Sequence, residues 1–323
     1  MQLEISEQKK DELLSVIQSG FPIVSRPFKE IAESIGLDER EVINAVIYLC
    51  DEGSIRTFGP VFEARKLGYV STLIAAKVDP ERISDIAAAM TDIHEITHNY
   101  LRKGHFNLWF TITALNAGVR DAILERIKSF GGVKTVLNLP AKKVFKINAV
   151  WGARKKNRQK FDNDAEITPL EESEKKLVRL LQHDFPIIEK PFAAFAGSVN
   201  MKESEIIDTI NSWLKNGVIR RFGARLNHKK IGYSVNVLAA WAGDEVEKWG
   251  EKFAEMDEVS HCYLRESYDE WPFELYTMVH TRSDEEADKI IEAMKKDAPN
   301  STMKKLKTLY ELKKTSMKYF MEK

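Results

Sequence analysis

The chain has 323 residues, 43% hydrophobic and 30% charged, with Lys+Arg and Asp+Glu balanced at 49 each. That length supplies two or more domains with full cores, while the charge balance excludes the global basic field of a general nucleic-acid binder. No apolar run is long enough for a membrane span, the start MQLEISEQKKDE does not read as a signal peptide, and two distant cysteines, Cys50 and Cys262, fit a reducing cytoplasm and exclude a disulfide framework or thiolate metal cage.

In chain order, Lys9 to Gln18 is amphipathic, and a helix from Pro27 to Ile35 places proline where a missing N–H costs nothing. Gly36 breaks it, and Asp38 with Glu41 three residues on forms a capping pair for a helix to Cys50. This is a helix-turn-helix plan, followed by a short β-ribbon from Ser54 to Phe62. The period then changes to alternation: strand Tyr69–Val78, helix Pro80–Met90, strands Ile93–Arg102 and Asn107–Ala114, helix Gly118–Phe130, strand Val133–Phe145. That β-α-β-β-α-β order is ferredoxin-like, with helices on one face of an antiparallel sheet.

The whole unit then recurs. Phe21-Pro22 returns as Phe185-Pro186, Phe58-Gly59 as Phe222-Gly223 and Gly68-Tyr69 as Gly232-Tyr233, each 164 positions later (185 minus 21). Asn200 stands opposite Gly36, the other residue type that tolerates a left-handed turn. The expected fold class is therefore α+β, a tandem repeat of winged helix-turn-helix plus ferredoxin-like domain. The expected boundaries are 1–64 and 65–151 for the first copy, a charged linker at 152–172, then 173–228 and 229–323 for the second.

Thr97-His98-Asn99-Tyr100-Leu101-Arg102 and Ser260-His261-Cys262-Tyr263-Leu264-Arg265 are the pair that points to chemistry. On a strand, His98, Tyr100 and Arg102 share one face, as do His261, Tyr263 and Arg265. On the next strand Leu108, Phe110 and Ile112 should face the helices and Trp109 the open side. In copy two Phe273, Leu275 and Val279 should face inward, and Glu274, Tyr276, Met278 and His280 outward. An open sheet has no need of such aromatics and histidines, so the two sheets are expected to pack face to face or to cover a large flat ligand.

The architecture resembles the Lrp/AsnC transcription regulators, which would imply DNA binding. The charges argue otherwise, because a recognition helix must bring Lys and Arg to phosphates. Leu37–Cys50 carries Asp38, Glu39 and Glu41 against Arg40, and Met201–Asn216 carries Glu203, Glu205 and Asp208 against Lys202 and Lys215.

The strings FPIVSRPF and FPIIEKPF, IRTFGPVFEARKLGY and IRRFGARLNHKKIGY, and THNYLRKGHFNLWFTI and SHCYLRESYDEWPFELYTMVH resemble the siroheme decarboxylases over nearly the whole chain. The resemblance implies a regulator fold without DNA binding, acting on an iron tetrapyrrole in a covalent pseudo-dimer, with a further homodimer left open and no membrane partner. It implies carboxy-lyase activity: loss of CO2 from the C12 and C18 acetates of siroheme, giving 12,18-didecarboxysiroheme for heme or heme d1. No cofactor is implied beyond the iron tetrapyrrole substrate itself. The family's essential histidines match His98 and His261 best, as catalytic residues. Arg102, Arg265, Tyr100, Tyr263, Trp109 and Arg221 become substrate contacts, and His105 or His228 a further acid or a ligand of the substrate iron. Arg56, Arg220, Arg221 and Arg225 either reach the pocket or form ion pairs around the ribbon, and Trp109 and Tyr276 either stack on the macrocycle or pack between the sheets. The alternatives are a transcription regulator and a non-catalytic tetrapyrrole sensor.

Overall fold

The structure is a computed structural model that describes residues 5–147, 163, 165–183 and 185–321. Most of the expected linker, 152–162 and 164, lies outside the described residues. The first copy runs α1 (Glu7–Ser19), α2 (Pro27–Ile35), α3 (Glu39–Asp51), β1 (Ile55–Phe62), β2 (Val70–Val78), α4 (Ile83–Thr91), β3 (Ile96–Arg102), β4 (Leu108–Ala114), α5 (Ala117–Lys128) and β5 (Val133–Ile147). The second runs α6 (Glu172–Leu181), α7 (Ala196–Val199), α8 (Glu203–Lys215), β6 (Ile219–Leu226), β7 (Val235–Ala242), α9 (Val246–Glu255), β8 (Val259–Arg265), β9 (Leu275–Thr281), α10 (Asp284–Asp297) and β10 (Thr302–Lys314). Among the described residues no helix is long and apolar enough to cross a membrane.

The local signals act as their chemistry requires. Glu41 accepts a hydrogen bond from the Asp38 N–H at 2.8 Å, closing the capping box at the start of α3. Gly36 and Asn200 hold φ of 68° and 56°, the left-handed turn demanded at both breaks.

The tertiary pairings cross between copies, which local periodicity does not reveal. The expected wing of each copy is not a hairpin of its own: β1 pairs antiparallel with β6, with Gly59 opposite Gly223. The ribbon lies over the ends of the first helices. A Cβ on Gly223, at φ 141°, would collide with the Ile17 carbonyl of α1, and one on Gly59 would sit 3.1 Å from the Leu181 carbonyl of α6. The recurring Phe-Pro and Phe-Gly pairs form this junction. Phe21 stacks on Phe222 and Phe58 on Phe185, both at 5.6 Å, so each copy supplies rings to the other's core. Burying one such ring contributes about 1.5–3 kcal/mol.

The two ferredoxin-like sheets are not merely stacked face to face. They join into one closed eight-stranded barrel, in the order β10-β3-β4-β2-β5-β8-β9-β7. The long last strand of each copy makes a seam: β5 pairs with β2 through Val133–Pro140 and with β8 through Ala141–Ile147, while β10 pairs with β7 and then with β3. Leu108, Phe110 and Ile112 pack under α4 and α5, and Leu275 and Val279 under α9 and α10, as the alternation predicts. The opposite faces turn into the barrel, where Trp109, Trp271, Phe273 and Tyr276 plug one part of the interior. Phe273 corrects the expectation that it faces the helices. It precedes β9, outside the strict alternation, and folds onto Trp271 with ring centroids 4.7 Å apart.

Candidate functional site

Between the aromatic plug and the β1–β6 ribbon lies a cavity of about 820 Å³, lined by both copies. That is within the range for a large organic ligand. The two motif strands are its walls. His98 and Tyr100 line up along β3 with ring centroids 6.3 Å apart, and the Arg102 guanidinium lies 5.1 Å from the Tyr100 ring. On β8, His261 and Tyr263 are 6.1 Å apart and Arg265 lies 4.5 Å from the Tyr263 ring. The arginines are anchored across the seams, Arg102 Nη1 donating to the Leu306 carbonyl of β10 (2.9 Å) and Arg265 Nη1 to the Leu139 carbonyl of β5 (2.8 Å).

The ribbon completes the site from above. Arg56, Arg220, Arg221 and Arg225 all line the cavity, with Lys314 and Glu311 from the end of β10 and Thr315, Ser316, Met317 and Tyr319 of the tail. Arg221 is tied to the backbone, donating to the Gln18 and Ala224 carbonyls at 2.9 and 3.0 Å. The tail is strapped down by Tyr319 N–H donating to Gln182 Oε1 (2.7 Å) and Phe320 N–H to Tyr69 Oη (2.7 Å). Ten arginine and lysine side chains line the cavity against two glutamates, Glu63 and Glu311. Among the described residues, the buried Nε atoms of Arg102, Arg225 and Arg265 have no hydrogen-bond partner. Buried donors normally find acceptors, so this lining is suited to a ligand with many carboxylates.

Burial governs the protonation states. It drives His98 down to about 4, helped by Lys314 and Arg56, and His261 to about 3, helped by Arg220 and His98. His228 falls to about 4 by burial and the nearby Lys314, and His280 falls well below its ordinary value by burial and the neighbouring His261 and His228. Tyr100 is pushed up to about 12 by burial and Tyr263 is also raised, so both phenols are neutral donors. Burial therefore keeps these histidines neutral at neutral pH. An unfolded histidine takes up its proton near pH 6.5, so their contribution to stability is present above that pH and is lost as pH falls from about 6.5 toward 4 for His98 and His228 and toward 3 for His261. The thermal midpoint should drop across this window, and His261→Gln should shallow the drop. A wild-type midpoint that is flat from pH 7.5 to 5 would contradict these shifts.

Of the residues singled out in the sequence, the cavity unites His98, His261, Tyr100, Tyr263, Arg102, Arg265, Trp109, Arg221 and His228, together with Tyr276 and His280 from the outward face of the following strand. His105 is not among them: it is exposed in the β3–β4 turn, its ring set against Phe106 at 5.3 Å. Trp109 is 1% exposed and belongs to the plug, its Nε1 donating to the Phe106 carbonyl at 2.8 Å. The longer loop of copy two supplies Trp271, which closes the plug by donating to Tyr276 Oη (2.7 Å). Lys314, Glu311 and the tail carried no sequence signal, because their place depends on β10 crossing to β3. Among the described residues, no group of three or more His, Cys, Asp or Glu side chains is placed to hold a metal ion.

Family comparison agrees with this layout. A model described as "AsnC-like ligand binding domain" matches residues 66–146 and 230–313, and one described as "Siroheme decarboxylase NirDL-like HTH domain" matches 10–56 and 174–220. The chain is 31% identical over 318 residues to a siroheme decarboxylase of Hydrogenobacter thermophilus, covering 97% of this chain and 95% of that one. It is also similar to the crystal structure of the siroheme decarboxylase NirDL, at 30% identity and a TM-score of 0.75, with 97% and 95% of the two chains covered. The structure of NirDL in complex with an iron-uroporphyrin III analogue matches over the same shares, with 28% identity and a TM-score of 0.74.

Proposed function

The chain belongs to the siroheme decarboxylase family, and on that premise we propose that its central cavity binds siroheme and removes CO2 from two of its acetate side chains, those at C12 and C18, giving 12,18-didecarboxysiroheme. The observation that carries this reading is a cation-rich cavity lined by both copies, with a tyrosine on each motif strand set between a histidine and an arginine.

The chemistry follows from the lining. Siroheme is a flat polyanion with eight carboxylates, six of which survive the reaction. When an acetate loses CO2, the C–C bond breaks, its electron pair stays on the CH2 and spreads into the macrocycle, and a proton must then form the new C–H bond. An arginine on the departing carboxylate would stabilise charge that vanishes in the transition state, which opposes catalysis. Arg102, Arg265 and the ribbon arginines therefore serve the carboxylates that remain. His98 and His261 serve as proton donors, a role that suits histidine. Burial alone favours their neutral form, and a polyanion brought against them favours the protonated one, so acid and substrate arrive together. No cofactor beyond the iron tetrapyrrole is required, since the macrocycle itself delocalises the charge.

The acidic recognition helices fit a protein that has left DNA. Ser25 of copy one donates to Glu203 at the start of α8 (2.8 Å), and Asn211 of α8 donates to the Ile23 carbonyl (3.3 Å). Part of α8 is thus occupied by contacts between the copies, consistent with a covalent pseudo-dimer. Anaerobic incubation with siroheme should lower the tetrapyrrole's mass by two CO2, and footprinting at physiological salt should show no protected DNA. An unchanged mass with tight binding would make the protein a sensor, and a footprint at nanomolar protein would make it a regulator.

A further inference from the structure

We propose that His280, with Ser260 and Asn236, positions His261 so that the His261 ring nitrogen left to the cavity carries a hydrogen in either protonation state. This rests on reading the cavity as the decarboxylation site and assigns residues behind the proton donor.

The chain of contacts starts in the other copy. Arg102 Nη2 lies 3.3 Å from Asn236 Oδ1, and Thr308 Oγ1 is 3.1 Å from the same oxygen. A guanidinium can only donate, so this fixes which end of the amide is oxygen. The Asn236 Nδ2 then donates to His280 Nε2 at 3.0 Å. With Nε2 accepting, neutral His280 must carry its hydrogen on Nδ1, which lies 3.0 Å from Ser260 Oγ and donates to it.

Ser260 Oγ has two further neighbours, His261 Nδ1 at 2.9 Å and the Met278 carbonyl at 3.1 Å. When His261 is neutral, the serine hydroxyl donates to its Nδ1 and the ring's hydrogen is on Nε2. When His261 is charged, its Nδ1–H donates to Oγ, which has a second lone pair for it, and the hydroxyl turns to the Met278 carbonyl. One hydroxyl rotation thus satisfies both imidazoles in both states, and His280 need not change. His261 Nε2–H is presented to the cavity throughout.

Copy one lacks this device. Ser71 and Thr113 occupy the paired places held by Asn236 and His280, and their hydroxyls bond each other at 3.1 Å. Thr97 Oγ1 meets His98 Nδ1 at 3.0 Å with no second imidazole behind it. The two motif histidines are accordingly not equivalent, and His261 is the better oriented.

The test has an arm that needs no turnover. In full-length protein labelled with 15N-histidine, ligand-free at pH 7.5, long-range proton–nitrogen correlation should show His280 as the Nδ1–H tautomer and His261 as Nε2–H, assigned with His280→Gln and His261→Gln. Finding His280 as Nε2–H would overturn the proposal whatever the enzyme does. In the catalytic arm, Ser260→Ala and His280→Phe should each lower kcat about tenfold or more, while KM and affinity for iron uroporphyrin III stay near wild type. Ser260→Thr should recover most of the rate lost in Ser260→Ala, because threonine keeps the hydroxyl. Wild-type kcat in Ser260→Ala and His280→Phe would also overturn it. If wild type itself leaves siroheme unchanged, the functional reading fails and the tautomers alone decide the positioning claim.

Discussion

His261→Ala should lower siroheme turnover by about 10² to 10⁴-fold, the usual cost of removing a general acid, while the protein still binds the tetrapyrrole. The imidazole is held at the cavity wall by Ser260 and flanked by Tyr263, and burial leaves few other proton sources at that depth. Tyr263 is no substitute, since burial raises its pKa and makes the phenol a weaker acid still. His98→Ala should be costly for the same reasons, its ring lying on the matching strand of the other copy. The product distribution separates two schemes. If each histidine serves one acetate, either variant should stop at a product lighter by one CO2. If one histidine serves both acetates after the macrocycle is re-seated, its variant should accumulate unreacted siroheme. Mass spectrometry of quenched reactions reads both, and near wild-type rates in both variants would place the acid elsewhere, with His228 next in line.

How much of this was visible in the sequence depends on whether a feature is local. Side-chain alternation put His98, Tyr100 and Arg102 on one face, and His261, Tyr263 and Arg265 on another, because a strand's period is fixed by its backbone. The repeat gave two copies, and Gly36 and Asn200 marked their turns because few residues hold a left-handed conformation. What was hidden is everything that crosses between copies. β1 has an ordinary strand sequence, and nothing in it says that its partner is β6 rather than a neighbouring wing. The closed barrel likewise depends on β5 and β10 each being long enough to reach two partners. The ribbon arginines remained ambiguous for that reason: only the crossing brings Arg56 of one copy and Arg220, Arg221 and Arg225 of the other over one cavity. Global neutrality concealed the local field as well, since 49 basic and 49 acidic residues balance over the chain while ten basic and two acidic side chains line the cavity. His105 misled because a histidine beside the motif in sequence sits in a turn that points away from the barrel interior.

Arg265→Ala should show the complementary phenotype, weaker binding with turnover of bound substrate largely kept. The guanidinium is built to receive an anion before one arrives. Nη1 is committed to the Leu139 carbonyl, the group lies 4.5 Å from the Tyr263 ring and 5.9 Å from that of Tyr276, and Nε is buried without a partner among the described residues. Such preorganisation means that little conformational freedom is lost on contact with a carboxylate. A hydrogen bond to a charged group contributes about 1.5–3 kcal/mol, so deleting this one should weaken siroheme binding by roughly ten- to hundredfold. KM should rise and kcat change by only a few-fold, the pattern expected when an interaction is made equally in the ground and transition states. Arg265→Lys should not restore affinity, because an ammonium cannot hold the Leu139 carbonyl and present a planar fork to the ligand at once. Salt gives a further discriminant. Lys142, at the cavity's edge with 39% of its side chain exposed, should contribute less as ionic strength rises. The Arg265 contribution should persist, since a buried pair is screened far less. Were Arg265→Ala instead to bind siroheme normally and lose turnover as severely as His261→Ala, the arginine would be acting on the reacting carboxylate, and the division of labour between cations and histidines would have to be reversed.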